Sequence, residues 1–307
     1  MTGLSRHAQE YLDLRHALGF KLEAAGRLLG QFTRFAEGAG QHTVTAADAL
    51  AWARSPQDAS PWWVAKRLSV VRGFARYLQA IDGQAEIPPA AQHRAQARRI
   101  TPYIYSPEEI ARLMAAARAL RHPLKAATFE ALLGLLAVTG LRGGEAMALD
   151  RDDFDPGQQL LTIRDSKFGK TRQIVLHAST VSALCAYGTR RDQLCPSPPT
   201  PALFLSSPGT RLSHPVLQFT FPALLRAAGA GAGAARRPRV HDLRHSFAVT
   251  TLLGWYRDGL DVQARIPALS AYLGHADPGD TYWYLTGTPE LLALAAARLE
   301  AAYGTTP

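Results

Sequence analysis

The chain is poor in sulfur, with two cysteines and three methionines in 307 residues. Cys185 and Cys195 have no metal-ligand company, and two thiols cannot build a framework of bridges. They read as free thiols of a reducing compartment. No apolar run approaches the length of a membrane span, and the first residues lack a signal-peptide core, so a soluble, intracellular protein is expected. A set of closely spaced carboxylates suited to Mg²⁺ is also missing. Asp150, Asp152, Asp153 and Asp155 are dense, but they precede a predicted strand and read as turn chemistry and solvated charge. Acidic residues are in deficit overall, 25 against 34 Lys and Arg, leaving a formal charge of +9. That balance fits a polyanionic partner, although many cationic enzymes share it.

What is present is enough for two globular domains, with 47% hydrophobic and 19% charged residues. Residues 4–82 predict four helices. The clearest is capped by Ser60, starts with Pro61, and carries Val64, Leu68, Val71, Phe74, Leu78 and Ile81 at helical spacing. Lys66, Arg67, Arg72 and Arg76 lie mostly off that stripe. They read either as a solvated basic face or as phosphate contacts. Pro88-Pro89 and a basic run with Arg98 and Arg99 mark a linker, and Ser106-Pro107-Glu108-Glu109 forms a capping box that opens a new helix. The expected division is a helical domain over 1–88, a linker over 89–105, and a second domain over 106–307. The fold class is mainly α with a small β-sheet (α+β). In the second domain a buried helix ends at Gly140, and a hairpin runs from Gln159 to His177 with its turn over Ser166–Lys170. The Ala228–Arg239 stretch is flexible by composition and expected at the surface.

Five separated segments carry chemistry. They are TGLRGGE (Thr139–Glu145), DSKFGKTR (Asp165–Arg172), HDLRHSFA (His241–Ala248), LGH (Leu273–His275), and Tyr284 in an aromatic trio with Tyr282 and Trp283. Phosphodiester cleavage needs a nucleophile, charge on the non-bridging oxygens and a proton for the departing oxygen. Guanidinium forks can supply the charge in place of a metal. Each residue taken alone has a plainer reading. Arg142 can pair with Glu145, and Arg244 with Asp242 or Asp258. A turn lysine is normally solvated, and an aromatic trio is usually core. His241 and His245 have zinc-ligand spacing, but Arg244 between them argues against a metal.

The order arginine, lysine, His-x-x-Arg, histidine, tyrosine, with these local signatures, resembles the tyrosine recombinase (phage integrase) family. The resemblance is strong over the catalytic half and limited to layout in the N-terminal part. It implies an N-terminal core-binding (SAM-like) domain and a catalytic domain that together clamp duplex DNA. Tyr284, chosen over Tyr282 by its spacing from His275, is the implied nucleophile. It would leave a 3′-phosphotyrosyl bond and a free 5′ hydroxyl, so that religation needs no ATP. Arg142, Arg244 and His275 would hold the phosphate oxygens, with His241 as proton acceptor or phosphate donor and His245 as a packing residue. Lys167, or alternatively Lys170, would protonate the leaving oxygen. Glu145 would hold the two arginines, and Lys170 and Arg172 would touch phosphates. The arginines and a nearby histidine should favour the phenolate.

The implied activity is site-specific recombination: integration, excision or transposition of a mobile element. Alternatives are a chromosome-dimer resolvase, a type IB topoisomerase-like enzyme, or a DNA-binding protein of this fold that no longer cuts. No metal or cofactor is implied. The partners implied are double-stranded DNA bearing recombination sites and, on that DNA, a homotetramer assembled from monomers in a prokaryotic cytoplasm at the nucleoid. After Tyr284, Leu291, Leu294, Ala295, Arg298 and Leu299 give a last helix an apolar stripe. That stripe either packs on its own domain or docks into a neighbouring subunit.

Overall fold

A computed structural model describes residues 3–20, 22–90, 102–164, 171–275, 277, 279–286 and 289–303. The chain divides into two compact units, Met1–Ile100 and Thr101–Pro307. The first contains α1 (Gly3–Ala17), α2 (Glu23–Gly38), α3 (Ala46–Arg54) and α4 (Pro61–Asp82). Local chemistry sets the helix ends. Thr45 Oγ1 accepts the Asp48 N–H ahead of α3, and Ser60 Oγ accepts the Trp63 N–H ahead of α4. Leu68, Val71, Phe74 and Leu78 of α4 share one core with Leu29 and Phe32 of α2 and Trp52 of α3. Ile81 leaves the predicted stripe. It is 54% exposed, one turn past Leu78, the last α4 residue in that core.

Two of the four α4 cations are committed inside the protein. Arg67, expected on a basic face, is buried. Its guanidinium lies 3.8 Å from the Trp52 ring centre and donates to Trp52 O at 2.6 Å and Ser55 Oγ at 3.2 Å. Trp52 O, in the last turn of α3, also accepts the Ser55 N–H and hydroxyl, and a cation at that end complements the helix dipole. Arg72 donates to Pro88 O and so holds the chain leaving α4. Lys66 and Arg76 remain exposed, with Lys66 over the Trp62 ring. Arg98 and Arg99 lie outside the described residues.

The second unit is mostly helical around a three-stranded antiparallel sheet. Its elements are α5 (Pro107–Arg118), α6 (Pro123–Thr139), α7 (Gly143–Ala148), β1 (Phe154–Asp155), β2 (Leu160–Ile163), β3 (Arg172–Val175), α8 (Ala178–Leu194), α9 (His214–Ala228), α10 (Asp242–Arg257), α11 (Val262–Leu273), α12 (Gly279–Tyr282), a 3₁₀ turn over Trp283–Thr286, and α13 (Pro289–Tyr303). The strands run in the order β1-β2-β3, with Leu161 opposite Ile174. Residues 102–105, expected in the linker, belong to this unit. Tyr105 is buried, and its N–H donates to Ser246 Oγ at 2.8 Å. Among the described residues, no helix is long and apolar enough to cross a membrane.

Two expectations give way to buried ion pairs. Asp153 is buried and pairs with Arg164, so the aspartate group is not all solvated charge. The Ala228–Arg239 stretch lies largely at the surface, as expected, but it is pinned: Gly231 N–H donates to Glu109 Oε1 at 3.0 Å, and Arg236 and Arg239 pair with the fully buried Asp242 at 2.9 and 3.3 Å. A carboxylate buried at the start of α10 needs such partners. The last helix begins on its own unit. Leu291 is buried and Leu294 packs with α10 and α11 residues in the cluster that also holds Tyr284.

Candidate active site

Five chain segments deliver the site, and the C-terminus of α11 organises it. α6 ends at Gly140, in left-handed conformation, and the chain turns through buried Leu141 to place Arg142 just ahead of α7. Arg142 donates through Nη1 to Glu145 Oε1 at 2.7 Å and through Nη2 to Gly274 O at 3.1 Å. Arg244, in the first turn of α10, is 2% exposed and donates to Gly140 O and Leu273 O, both at 2.8 Å. Arg172, at the start of β3, donates through Nε to Tyr272 O at 3.0 Å and through Nη1 and Nη2 to the two oxygens of Glu145 at 3.2 and 2.9 Å. Three successive carbonyls, 272, 273 and 274, therefore each take a different arginine at the negative end of a helix dipole.

This corrects two assignments. Arg172, expected to touch a phosphate, spends its guanidinium on Glu145 and the α11 terminus. Glu145, expected to hold Arg142 and Arg244, holds Arg142 and Arg172. Burial would raise the Glu145 pKa, but hydrogen bonds and charge from Arg172 and Arg142 overcome it and leave it below its ordinary value. Three arginines and one carboxylate leave a surplus of positive charge at a half-buried site. Burial, then Arg142, brings Arg244 down to about 10, so it stays charged at neutral pH.

Close packing around Gly274 gives a prediction. Its φ is +68°, and a Cβ there would lie 2.7 Å from Arg172 Nη1. Left-handed backbone alone costs an L residue about 1–2 kcal/mol. Gly274→Ala should exceed that cost, because the arginine cannot withdraw without losing Glu145. Gly229→Ala is the control, since Gly229 has similar φ (+59°) and nothing within 4 Å of its Cβ position. Denaturant unfolding of the two variants separates strain from clash. Equal losses would mean that Arg172 yields freely.

Histidines and tyrosine complete the cluster. Tyr284 is 2% exposed, whereas Tyr282 is 42% exposed, so Tyr284 is the one turned inward. His275 hydrogen-bonds Thr281 Oγ1 through Nδ1 at 2.6 Å, and its ring lies nearly parallel to that of Tyr284, with centres 6.2 Å apart. His241, just ahead of α10, and His245, in its first turn, have ring centres 4.8 Å apart. His245 Nδ1 is 3.1 Å from the Tyr284 hydroxyl. Reading His245 as a packing residue missed this contact; its i, i+4 spacing from His241 was the signal that could have found it. Lys167 and Lys170 lie outside the described residues.

Burial dominates the proton equilibria. It raises the Tyr284 pKa above its ordinary value, although Arg244 and Arg142 pull the other way. The arginines do favour the phenolate, as expected, but burial outweighs them in the free protein. Burial, followed by the charges of neighbouring groups, brings the half-buried His245 and His275 down to about 4; His241 is shifted the same way, although it is exposed at the surface. The ordinary value is 6.5, so between pH 6.5 and 4 the unfolded chain binds protons that the folded chain refuses. Their contribution is complete above 6.5 and is lost as pH falls through that window. A lower melting temperature at pH 5 than at pH 7 is expected, with His245 and His275 each accounting for on the order of 1–2 kcal/mol. His275→Asn should flatten part of the profile; an unchanged profile would mean that His275 is not held neutral.

Residues 104–290 match the model of the phage integrase family. A putative integrase/recombinase of Sinorhizobium fredii (y4rB) is 44% identical over 307 residues, 98% of each chain. Tyrosine recombinase XerC of Alcanivorax borkumensis is 31% identical, covering 72% of this chain and 67% of its own. Among solved structures, the Tn1549 transposon integrase in complex with transposon right end DNA aligns with TM-score 0.63 at 16% identity, covering 98% of this chain and 99% of that one. At that identity the likeness shows the fold.

Proposed function

The chain belongs to the phage integrase family, and on that premise we propose that this site-specific recombinase uses Tyr284 to attack a DNA phosphodiester. The reading rests on one observation: the Tyr284 hydroxyl is buried in a cluster with Arg142, Arg244 and three histidines drawn from separated segments. Arg142 and Arg244 take the non-bridging oxygens, and their surplus charge suits the transition state, which carries more negative charge than the bound phosphodiester. His275 and His241 add hydrogen bonds to the same phosphate. Lys167, or Lys170, protonates the leaving 5′ oxygen. Glu145 fixes Arg142, Arg172 braces Glu145, and the Gly140 and Leu273 carbonyls fix Arg244. Lys66 and Arg76 of the first unit, with Arg98 and Arg99, contact the DNA backbone, and four protomers assemble on two site-bearing duplexes.

Mobile-element integration or excision is the favoured role, because similarity to the putative integrase/recombinase runs the full length at 44% identity. Chromosome-dimer resolution is the second reading. Inverted repeats beside the gene would favour the first. The chemistry is tested with a nicked duplex that loses the leaving strand. The expected result is a protein–DNA adduct on a denaturing gel, formed equally with and without chelator because the arginines supply the charge. An adduct that requires added Mg²⁺ would contradict that division of labour.

A further inference from the structure

Besides Arg244, the group at the Tyr284 hydroxyl is a histidine, and it is not the one that the family pattern selects as proton acceptor. His245 Nδ1 lies 3.1 Å from the phenolic oxygen, while His241 is one helical turn earlier and contacts the edge of the His245 ring. His245 is half-buried and held on three sides by rings: His241 at 4.8 Å, Tyr284 at 5.5 Å and Trp283 at 5.6 Å between centres. A ring fixed in this way keeps one nitrogen on the hydroxyl. A neutral imidazole that accepts through Nδ1 carries its proton on Nε2. We propose that His245 is a catalytic residue, the base that takes the phenolic proton as Tyr284 attacks phosphorus and returns it on religation.

The step balances within the protein and its DNA. The Tyr284 oxygen forms the bond to phosphorus while its proton passes to His245 Nδ1, giving an imidazolium. The bond from phosphorus to the 5′ oxygen breaks, its electron pair stays on that oxygen, and the general acid of the proposed mechanism protonates it. On religation the 5′ hydroxyl attacks phosphorus and returns its proton to the conjugate base of that general acid; the bond from phosphorus to the phenolic oxygen breaks, and that oxygen recovers its proton from His245. In the free protein the proton stays on the phenol, because burial raises Tyr284 and brings His245 down to about 4. Bond formation to phosphorus removes the basicity of the phenolic oxygen, so the proton must leave in the same step. The groups acting on His245 are His241, Asp242, Arg239 and Arg244, besides Tyr284 itself. An anionic phosphate among them offsets the cationic charge and favours the imidazolium. The pair is inert alone and becomes competent when substrate arrives.

This inference rests on Tyr284 being the nucleophile, and the test separates the two. The full chain, with His245→Gln and His245→Ala, is assayed for single-turnover adduct formation on the nicked duplex, after circular dichroism and DNA binding confirm intact folds. Gln keeps an acceptor at similar reach but cannot take a proton. Both variants should lose on the order of 100-fold or more in rate. Added imidazole should restore part of the Ala variant's rate. Fluorotyrosine at position 284, a more acidic phenol, should narrow the Gln deficit, which a purely structural defect would not do. Sulfur at the 5′ bridging position should rescue neither variant, since the defect lies on the attacking side. A Gln variant within about threefold of the unaltered rate would overturn the proposal. So would rescue by bridging sulfur, or a deficit that ignores both imidazole and fluorotyrosine. If the unaltered protein forms no adduct, the nucleophile reading itself fails.

Discussion

Tyr284→Phe is expected to bind duplex DNA as the unaltered chain does and to form no covalent complex. The ring is buried in a cluster with Ala248, Leu252, Leu269 and Leu273, and phenylalanine fills the same space. The substitution removes one hydroxyl and its bond to His245, a net cost of about 1 kcal/mol. That is too little to unfold a unit with a core of this size, yet the proposed nucleophilic oxygen is gone. Denaturing gels of the nicked-substrate reaction read the outcome. If Tyr282→Phe abolishes the adduct and Tyr284→Phe does not, the wrong tyrosine has been assigned.

The second large effect separates the two arginines. Arg142→Ala and Arg244→Ala should each slow cleavage on the order of 100-fold or more, the loss expected when a preorganised donor to a developing charge is removed. Their stability costs should differ. Arg244 is 2% exposed and donates to two backbone carbonyls, Gly140 O and Leu273 O, which would be left without their donor in a buried place. Each such orphan costs about 1–3 kcal/mol. The Arg142 side chain is 28% exposed, and solvent can replace part of what it gives up. Denaturant midpoints should therefore fall much further for Arg244→Ala. Equal midpoints would show that the Arg244 carbonyl contacts carry little energy.

The parts of this molecule legible in its sequence are those written locally. Ser60-Pro61 and Ser106 through Glu109 announce helix starts because a cap and its partner are three residues apart, and the structure has both bonds. The helix end at Gly140 follows from one glycine in left-handed conformation. The failures share a different cause. Arg67 looked like a surface cation because its partner, Trp52 O, lies on another helix. Arg172 looked like a phosphate ligand because its partners are 27 and 100 residues away. Ile81 matched the apolar period, but spacing says nothing about where a neighbouring core ends. At the site, the order of motifs indicated which groups to look for, and the structure brings Arg142, Arg244, His241, His275 and Tyr284 into one cluster. What spacing could not supply was the balance between burial and charge at Tyr284, or which histidine faces its hydroxyl. Both depend on how α10, α11 and the turn after α12 pack in three dimensions.

The most direct test of the account is to identify the residue that carries the DNA. The adduct formed with a nicked duplex is digested with nuclease and protease, and the modified peptide is sequenced by mass spectrometry. The account predicts a nucleotide joined through its 3′ phosphate to Tyr284, with a 5′ hydroxyl on the released strand. A modification on any other residue, or a 5′-phosphate linkage, would contradict it.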